Sequence, residues 1–248
     1  MSVSRRLVAV AVATTVASTV AAVAVTAGWP ATGEATTTTV AEWWLDEPSG
    51  ATVARDSSGN GHDGTVGTAV VRGVAGHAGT AFRFTPPGSE VSDPQRLVQV
   101  PDGAGLDPGD RNLRVSLWVR TSYAGDYNVL QKGQATTAGG FWKVQLDDGH
   151  PSCVFLGVTA DGSRVSAGLR WGARVDDGAW HHVVCEKLSS YVRLAVDGAS
   201  PVVAYRAVGH IANSWPLVMG GKSSCAPSKG VDCDYYRGDL DTVVLSTS

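Results

Sequence analysis

Leu113-Arg114-Val115-Ser116-Leu117-Trp118-Val119-Arg120 alternates apolar and polar residues at nearly every step. An extended chain therefore places Leu113, Val115, Leu117 and Val119 on one face and Arg114, Ser116, Trp118 and Arg120 on the other, the pattern of a half-buried strand. Phe141-Trp142-Lys143-Val144-Gln145-Leu146 repeats it with Trp142, Val144 and Leu146 together, and Tyr191-Val192-Arg193-Leu194-Ala195-Val196 does so with Val192, Leu194 and Val196. Between and beside these runs stand Asp147-Asp148-Gly149, Asp161-Gly162, Asp176-Asp177-Gly178 and Asp197-Gly198, Asp-Gly pairs of the kind that accept tight hairpins. Helical periodicity is absent, and short strands at this spacing predict an antiparallel sandwich.

The chain has 248 residues and a formal net charge of −3, with both signs dispersed. There is no basic stripe that would track a phosphate backbone, so nucleic acid is not an expected partner. Arg5 and Arg6 precede an uncharged Ala/Val/Thr-rich run from Leu7 to Ala27, and Val25-Thr26-Ala27 supplies small residues for a peptidase. Residues 1–27 read as a signal peptide, and Ser4-Arg5-Arg6-Leu7 loosely resembles a twin-arginine signal, which leaves the export route open. A membrane attachment is expected only if this segment stays uncleaved. Residues 28–39, Gly/Pro/Thr-rich and nearly uncharged, read as a linker, and residues 40–248 as one domain without a repeat. Arg outnumbering Lys, a single isoleucine and the dominance of Ala, Val and Gly suggest a GC-rich bacterial genome.

Cys153, Cys185, Cys225 and Cys233 fall in the C-terminal half of a chain that carries an export signal, so an oxidising compartment and two disulfides follow. Of three pairings, Cys153–Cys185 with Cys225–Cys233 is favoured, because the second pair brackets a short turn-rich segment and the first two cysteines each sit on an apparent strand. Zinc is a poorer use of these thiols, since no Cys-x-x-Cys pair and no histidine at ligand spacing is present.

Asp56-Ser57-Ser58-Gly59-Asn60-Gly61-His62-Asp63-Gly64 packs three oxygen-bearing acceptors among three glycines. Asp56, Asn60 and Asp63 are hard donors of the type calcium takes. The same spacing serves equally as an Asx-type surface turn with no ion.

Glu42-Trp43-Trp44-Leu45-Asp46-Glu47-Pro48-Ser49-Gly50 followed by this turn resembles the opening of the laminin-G-like jelly roll, within the concanavalin A-like lectin/glucanase superfamily. Asn112 to Thr121 is similar to that family's central Trp-bearing strand. Asp177-Gly178-Ala179-Trp180-His181-His182-Val183-Val184 is similar to its Gly-x-Trp-His-x-Val hairpin, with Val196-Asp197-Gly198 downstream, and Tyr236-Arg237-Gly238-Asp239-Leu240-Asp241-Thr242-Val243-Val244 to its closing Gly-x-Leu-Asp strand. The resemblance spans Val40 to Leu245. It implies an all-β jelly roll of two antiparallel sheets with the first and last strands adjacent. It also implies a structural Ca2+ at which Asp56 and Asp241 meet, joined by Asn60 and Asp63, with Glu47 as a second-choice carboxylate. Two carboxylates brought together in a partly buried site would repel unless a cation or protons neutralised them.

His181 and His182 alternate to opposite faces of a strand and so suit structural roles, and Trp43, Trp44 and Trp180 read as packing residues. The paired-carboxylate pattern of jelly-roll glucanases is missing: the glutamates are Glu34, Glu42, Glu47, Glu90 and Glu186, none in a Glu-x-Asp-x-Glu arrangement, and no Gly-x-Ser-x-Gly elbow occurs. The expectation is a secreted, calcium-stabilised, non-catalytic module that binds carbohydrate or a glycoconjugate. Trp118, Arg120, Tyr123, Tyr127, Lys132 and Trp171 are its candidate ligand residues, offering aromatic plates and polar groups. The alternative is a cell-surface structural or protein-adhesion domain without a sugar site. A glycoside hydrolase ranks third.

Overall fold

The structure is a computed structural model that describes residues 37–86 and 92–248. The expected signal peptide, and the expected linker up to residue 36, lie outside the described residues. In chain order the strands are β1 (Thr38–Trp43), β2 (Val53–Ala54), β3 (Gly64–Val66), β4 (Val71–Ala75), β5 (Thr80–Phe84), β6 (Val98–Val100), β7 (Leu113–Arg120) and β8 (Tyr127–Lys132). There follow β9 (Phe141–Asp147), β10 (His150–Val158), β11 (Arg164–Arg170), β12 (Trp180–Lys187), β13 (Val192–Val196), β14 (Val202–Ala204), β15 (Leu217–Met219) and β16 (Gly238–Thr247). Only two short 3-10 turns interrupt them among the described residues.

The strands form two antiparallel sheets. The first runs β14-β13-β12-β7-β16-β5-β4 with β1 also paired to β16, and the second runs β11-β10-β9-β8-β15-β6-β3-β2. The first and last strands are therefore neighbours, with Glu42 opposite Val244 and Trp43 opposite Val243. Thr38 and Thr39 pair with Thr247 and Ser246, so the ordered ladder begins two residues inside the expected linker. Hydrogen bonds to a neighbouring strand, which composition does not reveal, pull these threonines into the sheet.

Each face follows the alternation. Leu113, Val115, Leu117 and Val119 of β7 are buried, and Trp142, Val144 and Leu146 of β9 meet them from the opposite sheet in one continuous core. Trp43 is buried in that core with its indole N–H donated to the His62 carbonyl at 2.8 Å, whereas Trp44 is 45% exposed and, contrary to expectation, is not a packing residue. Alternation at β1 turns adjacent tryptophans to opposite sides, so only one of them can be internal. Among the described residues no helix is long and apolar enough to cross a membrane.

Both disulfides form in the favoured pairing. Cys153 on β10 joins Cys185 on β12 across the core, with the Cα atoms 6.1 Å apart. Cys225 joins Cys233 over a sequence separation of 8, against 32 for the first pair. On the chain-entropy account, losing the inter-sheet bridge costs about 3–4 kcal/mol and losing the short-loop bridge about 1 kcal/mol less. Urea melts of the Cys153→Ala/Cys185→Ala and Cys225→Ala/Cys233→Ala variants are expected to rank in that order.

Candidate functional site

The expected cation turn is a hub of backbone hydrogen bonds. Asp56 Oδ1 accepts from the Glu42 and Ser58 amides, both at 3.0 Å, and Oδ2 accepts from the His62 amide at 2.9 Å. Asn60 Nδ2 donates to the Val40 carbonyl at 2.8 Å and the Thr39 carbonyl at 3.1 Å. Asp63 Oδ1 accepts from the Asp56 amide at 2.8 Å while its Oδ2 pairs with Arg55 at 2.9 Å, and Glu47 Oε1 accepts from the Arg55 amide at 2.6 Å. The turn thus fastens β1 to the segment that follows it.

Asp241 is fully buried and serves a different turn. Its Oδ2 accepts from the His77 and Ala78 amides at 2.7 and 3.1 Å, in the β4–β5 hairpin, and its Oδ1 accepts the Thr242 hydroxyl at 3.0 Å. Asp56 and Asp241 share no hydrogen-bond partner, and among the described residues no three His, Cys, Asp or Glu side chains gather at metal-binding spacing. The residues expected to share a calcium ion thus stand in separate hydrogen-bond clusters: Asp56 accepts amides of β1 and of its own turn, and Asp241 accepts those of the β4–β5 hairpin. A carboxylate that accepts two or three N–H groups needs no cation to offset its charge.

The open concavity lies on the outer face of the first sheet. Register sets Arg120 of β7 opposite Asp239 of β16, and Asp239 opposite Arg83 of β5, so three adjacent strands present a guanidinium, a carboxylate and a guanidinium in a row. Asp239 is nearly buried. Its Oδ2 receives Arg120 Nη2 at 2.7 Å and Nε at 2.9 Å, and Arg83 approaches with Nε at 2.6 Å from Oδ1 and Nη2 at 3.0 Å from Oδ2. This contact raises the pKa of Arg83 above its ordinary value. Arg120 also lies over Trp180, 4.6 Å from the ring centroid.

Arg237 completes the rim. Its guanidinium sits 3.3 Å from the centroid of Tyr123, a residue 43% exposed, and has no carboxylate within ion-pair distance among the described residues. These groups, with Thr121, Ser122 and Gly178, enclose a pocket of about 410 Å3. Gly238 belongs to the construction, because a Cβ there would lie 2.5 Å from the Arg120 carbonyl. Three guanidiniums face one carboxylate, so the lining carries a net charge of about +2 and draws anions.

The other expected ligand residues are placed elsewhere. Trp118 lies on the outer face, but its ring is stacked on His77 at 3.5 Å and on His182 at 4.8 Å, so it is not an open plate. Tyr127 donates its hydroxyl to the Ala124 carbonyl and sets its ring against the edge of Tyr236. Trp171 packs partly buried against the core. Lys132 is 0% exposed and binds Asp102 at 2.8 Å, Asp107 at 3.2 Å and the carbonyls of Asn213 and Trp215, so it clamps loops rather than a ligand. His181 bridges Asp197 at 2.7 Å and Asp177 at 3.1 Å, holding two turns together. Arg83 and Arg237 were not singled out from sequence. Arg83 does stand between inward Phe82 and Phe84, which marks it as outward, but nothing local pairs it with Asp239.

Burial tends to raise the Asp56 pKa, yet the amides of Glu42, His62 and Ser58 together hold it below the ordinary 3.8. A group depressed in the folded state contributes stability in full above its unfolded value and loses it as pH falls through the folded one. The stability deficit of Asp56→Asn relative to the parent should therefore be largest near about pH 6 and shrink toward about pH 3, measured by urea melts across pH. Asp241→Ala strands two amides and a hydroxyl and should cost about 2–4 kcal/mol. Excess EDTA is expected to leave the parent melting temperature unchanged; a drop of several degrees would restore a metal to these turns.

Residues 93–248 match the laminin G 3 family, described as the concanavalin A-like lectin/glucanases superfamily. No curated protein matches the chain. Among solved structures, the binding domain of Paraclostridial mosquitocidal protein 1 is 14% identical with a TM-score of 0.60, over 84% of this chain and 48% of that one. Domain 4 of AbnA, a GH43 extracellular arabinanase from Geobacillus stearothermophilus solved in complex with arabinotriose, is 16% identical with a TM-score of 0.56, over 86% and 93%. Mouse laminin alpha1 domains LG4-5 are 18% identical with a TM-score of 0.50, over 68% and 43%. The chain spans about half the length of the first and last of these, and at such identities the likeness is one of fold alone. The family match, with the two stacked sheets and adjacent terminal strands, establishes that this chain belongs to the laminin-G-like branch of the concanavalin A-like lectin/glucanase superfamily.

Proposed function

We propose that the domain is an exported, non-catalytic recognition module for carbohydrate or a glycoconjugate, and that its ligand site is the arginine pocket formed by Arg83, Arg120 and Arg237 with Tyr123. The observation that carries this reading is the charge imbalance. Arg83 and Arg120 share the single carboxylate of Asp239, which leaves Arg237 without an anionic partner among the described residues at an open rim. A pocket of about 410 Å3 falls in the range of small-ligand sites and admits a sugar ring. Arginine forks match carboxylate and sulfate groups, so the preferred ligand is an acidic saccharide. Domain 4 of AbnA, a domain of this fold covered over 93% of its length, was solved with an oligosaccharide, which supports a glycan ligand. Two disulfides support export to an oxidising compartment, with residues 1–27 as the removed signal.

The pocket chemistry favours binding over turnover. Glycoside hydrolysis commonly uses two carboxylates, one of them free to move a proton. Among the described residues Asp239 is the one carboxylate lining the pocket, and both of its oxygens are held by guanidiniums.

The test is retention of the oxidised domain on polygalacturonate and on neutral arabinan, with Arg237→Ala and Tyr123→Ala beside the parent. Binding to the acidic polymer is expected to exceed binding to the neutral one, to weaken with added salt, and to fall at least about tenfold in Arg237→Ala, a loss of about 1.4 kcal/mol. Equal retention of parent and Arg237→Ala would move the site elsewhere. Silence on broad glycan arrays would favour the adhesion reading, and sustained release of reducing sugar would overturn the non-catalytic assignment.

A further inference from the structure

The outer face of the second sheet carries a separate small pocket of about 100 Å3, bounded by β8, β9 and the segment around the Cys225–Cys233 loop. Asn128, Gln131, Gln134, Ala135, Phe141, Lys143 and Lys222 line it. Polar contacts hold its walls. Gln134 Nε2 donates to the Ser224 carbonyl at 2.9 Å, Lys222 pairs with Asp234 at 2.7 Å, and Asn128 Nδ2 donates to Gln131 Oε1 at 3.0 Å and Asp234 Oδ2 at 3.2 Å.

Among the described residues, two groups in this frame lack complements. Asn128 is 1% exposed, and its Oδ1 is buried with no donor. Lys143, on the outward side of β9 opposite Gln131, has among the described residues neither a hydrogen-bond acceptor nor a carboxylate within ion-pair distance, in contrast to Lys222, which also lines the pocket and which Asp234 neutralises. A half-buried ammonium with no direct ion-pair partner, in the same pocket as an orphaned buried acceptor, costs free energy that structures ordinarily avoid. Burial lowers the Lys143 pKa; the field of Asp234 opposes that shift, Lys222 adds to it, and Asp147 opposes it more weakly.

We propose that this pocket is a second ligand site, distinct from the arginine pocket, that accepts a compact carboxylate-bearing molecule. The carboxylate pairs with Lys143 Nζ, and a hydroxyl beside it supplies the donor that Asn128 Oδ1 lacks. The small volume admits one such group rather than a polymer segment. The Cys225–Cys233 bridge stiffens the loop behind Lys222 and so keeps the pocket walls in place.

The probes are D-glucuronate, acetate and D-glucose, titrated into the oxidised full domain while the side-chain amide signals of Asn128 and Gln131 are followed by NMR. Glucuronate is expected to shift them saturably and glucose to leave them still. Affinity for glucuronate at least about tenfold above acetate identifies an acidic sugar as the source of the carboxylate, and equal affinities identify a free carboxylate; both support the site. Lys143→Met should abolish the shifts and Arg237→Ala should preserve them, so this site and the arginine pocket fail independently. Ala135→Glu, at an exposed rim position, places a tethered carboxylate near Lys143 and should block the probes even if Lys143→Met folds poorly. Absence of saturable shifts with either carboxylate, or shifts that persist in Ala135→Glu and Lys143→Met, would overturn the proposal.

Discussion

The placement of β16 governs this molecule. It lies between β7 on one side and both β5 and β1 on the other, so the last described strand is paired with the first and with the central strand at once. The same register that closes the core sets Asp239 between Arg120 and Arg83 on the opposite surface. Burial of Leu240, Val243 and Leu245 inward and presentation of Asp239 outward are two faces of one alternation, interrupted at Thr242, whose φ of 44° marks the irregularity that turns the strand. The arginine-lined surface is in this sense a by-product of the ladder that holds the sheet together.

Two buried or half-buried carboxylates secure the ends of that ladder. Asp56 binds amides from β1 and from its own turn, and Asp241 binds those of the β4–β5 hairpin. Both supply fixed acceptors to N–H groups that strand pairing leaves over, and an unpaired amide in such a position is costly. Net electrostatics need not involve an ion when the field is already supplied by oriented backbone dipoles.

Local periodicity made much of this legible. The faces of β7, β9 and β13 and the Asp-Gly turns depend on neighbours in sequence, and the two-sheet sandwich follows from them. The disulfide pairing was also readable, since two cysteines on strands and two flanking a short turn leave one comfortable arrangement. Long-range contacts were not legible. Lys132 looks like an available cation in Tyr127–Lys132, yet Asp102, Asp107 and two carbonyls from residues 213 and 215 enclose it. Trp118 was rightly placed outward by alternation, but its neighbours His77 and His182 come from a distant hairpin and another strand. Arg83 and Arg237 joined the pocket only through sheet order, which no local pattern encodes.

The pairing of Thr38 with Thr247 has a mechanical meaning. The two strands run antiparallel, so both ends of this ladder emerge side by side. Tension applied between them would load the hydrogen bonds one after another, peeling β1 from β16 like a zip instead of shearing all rungs together.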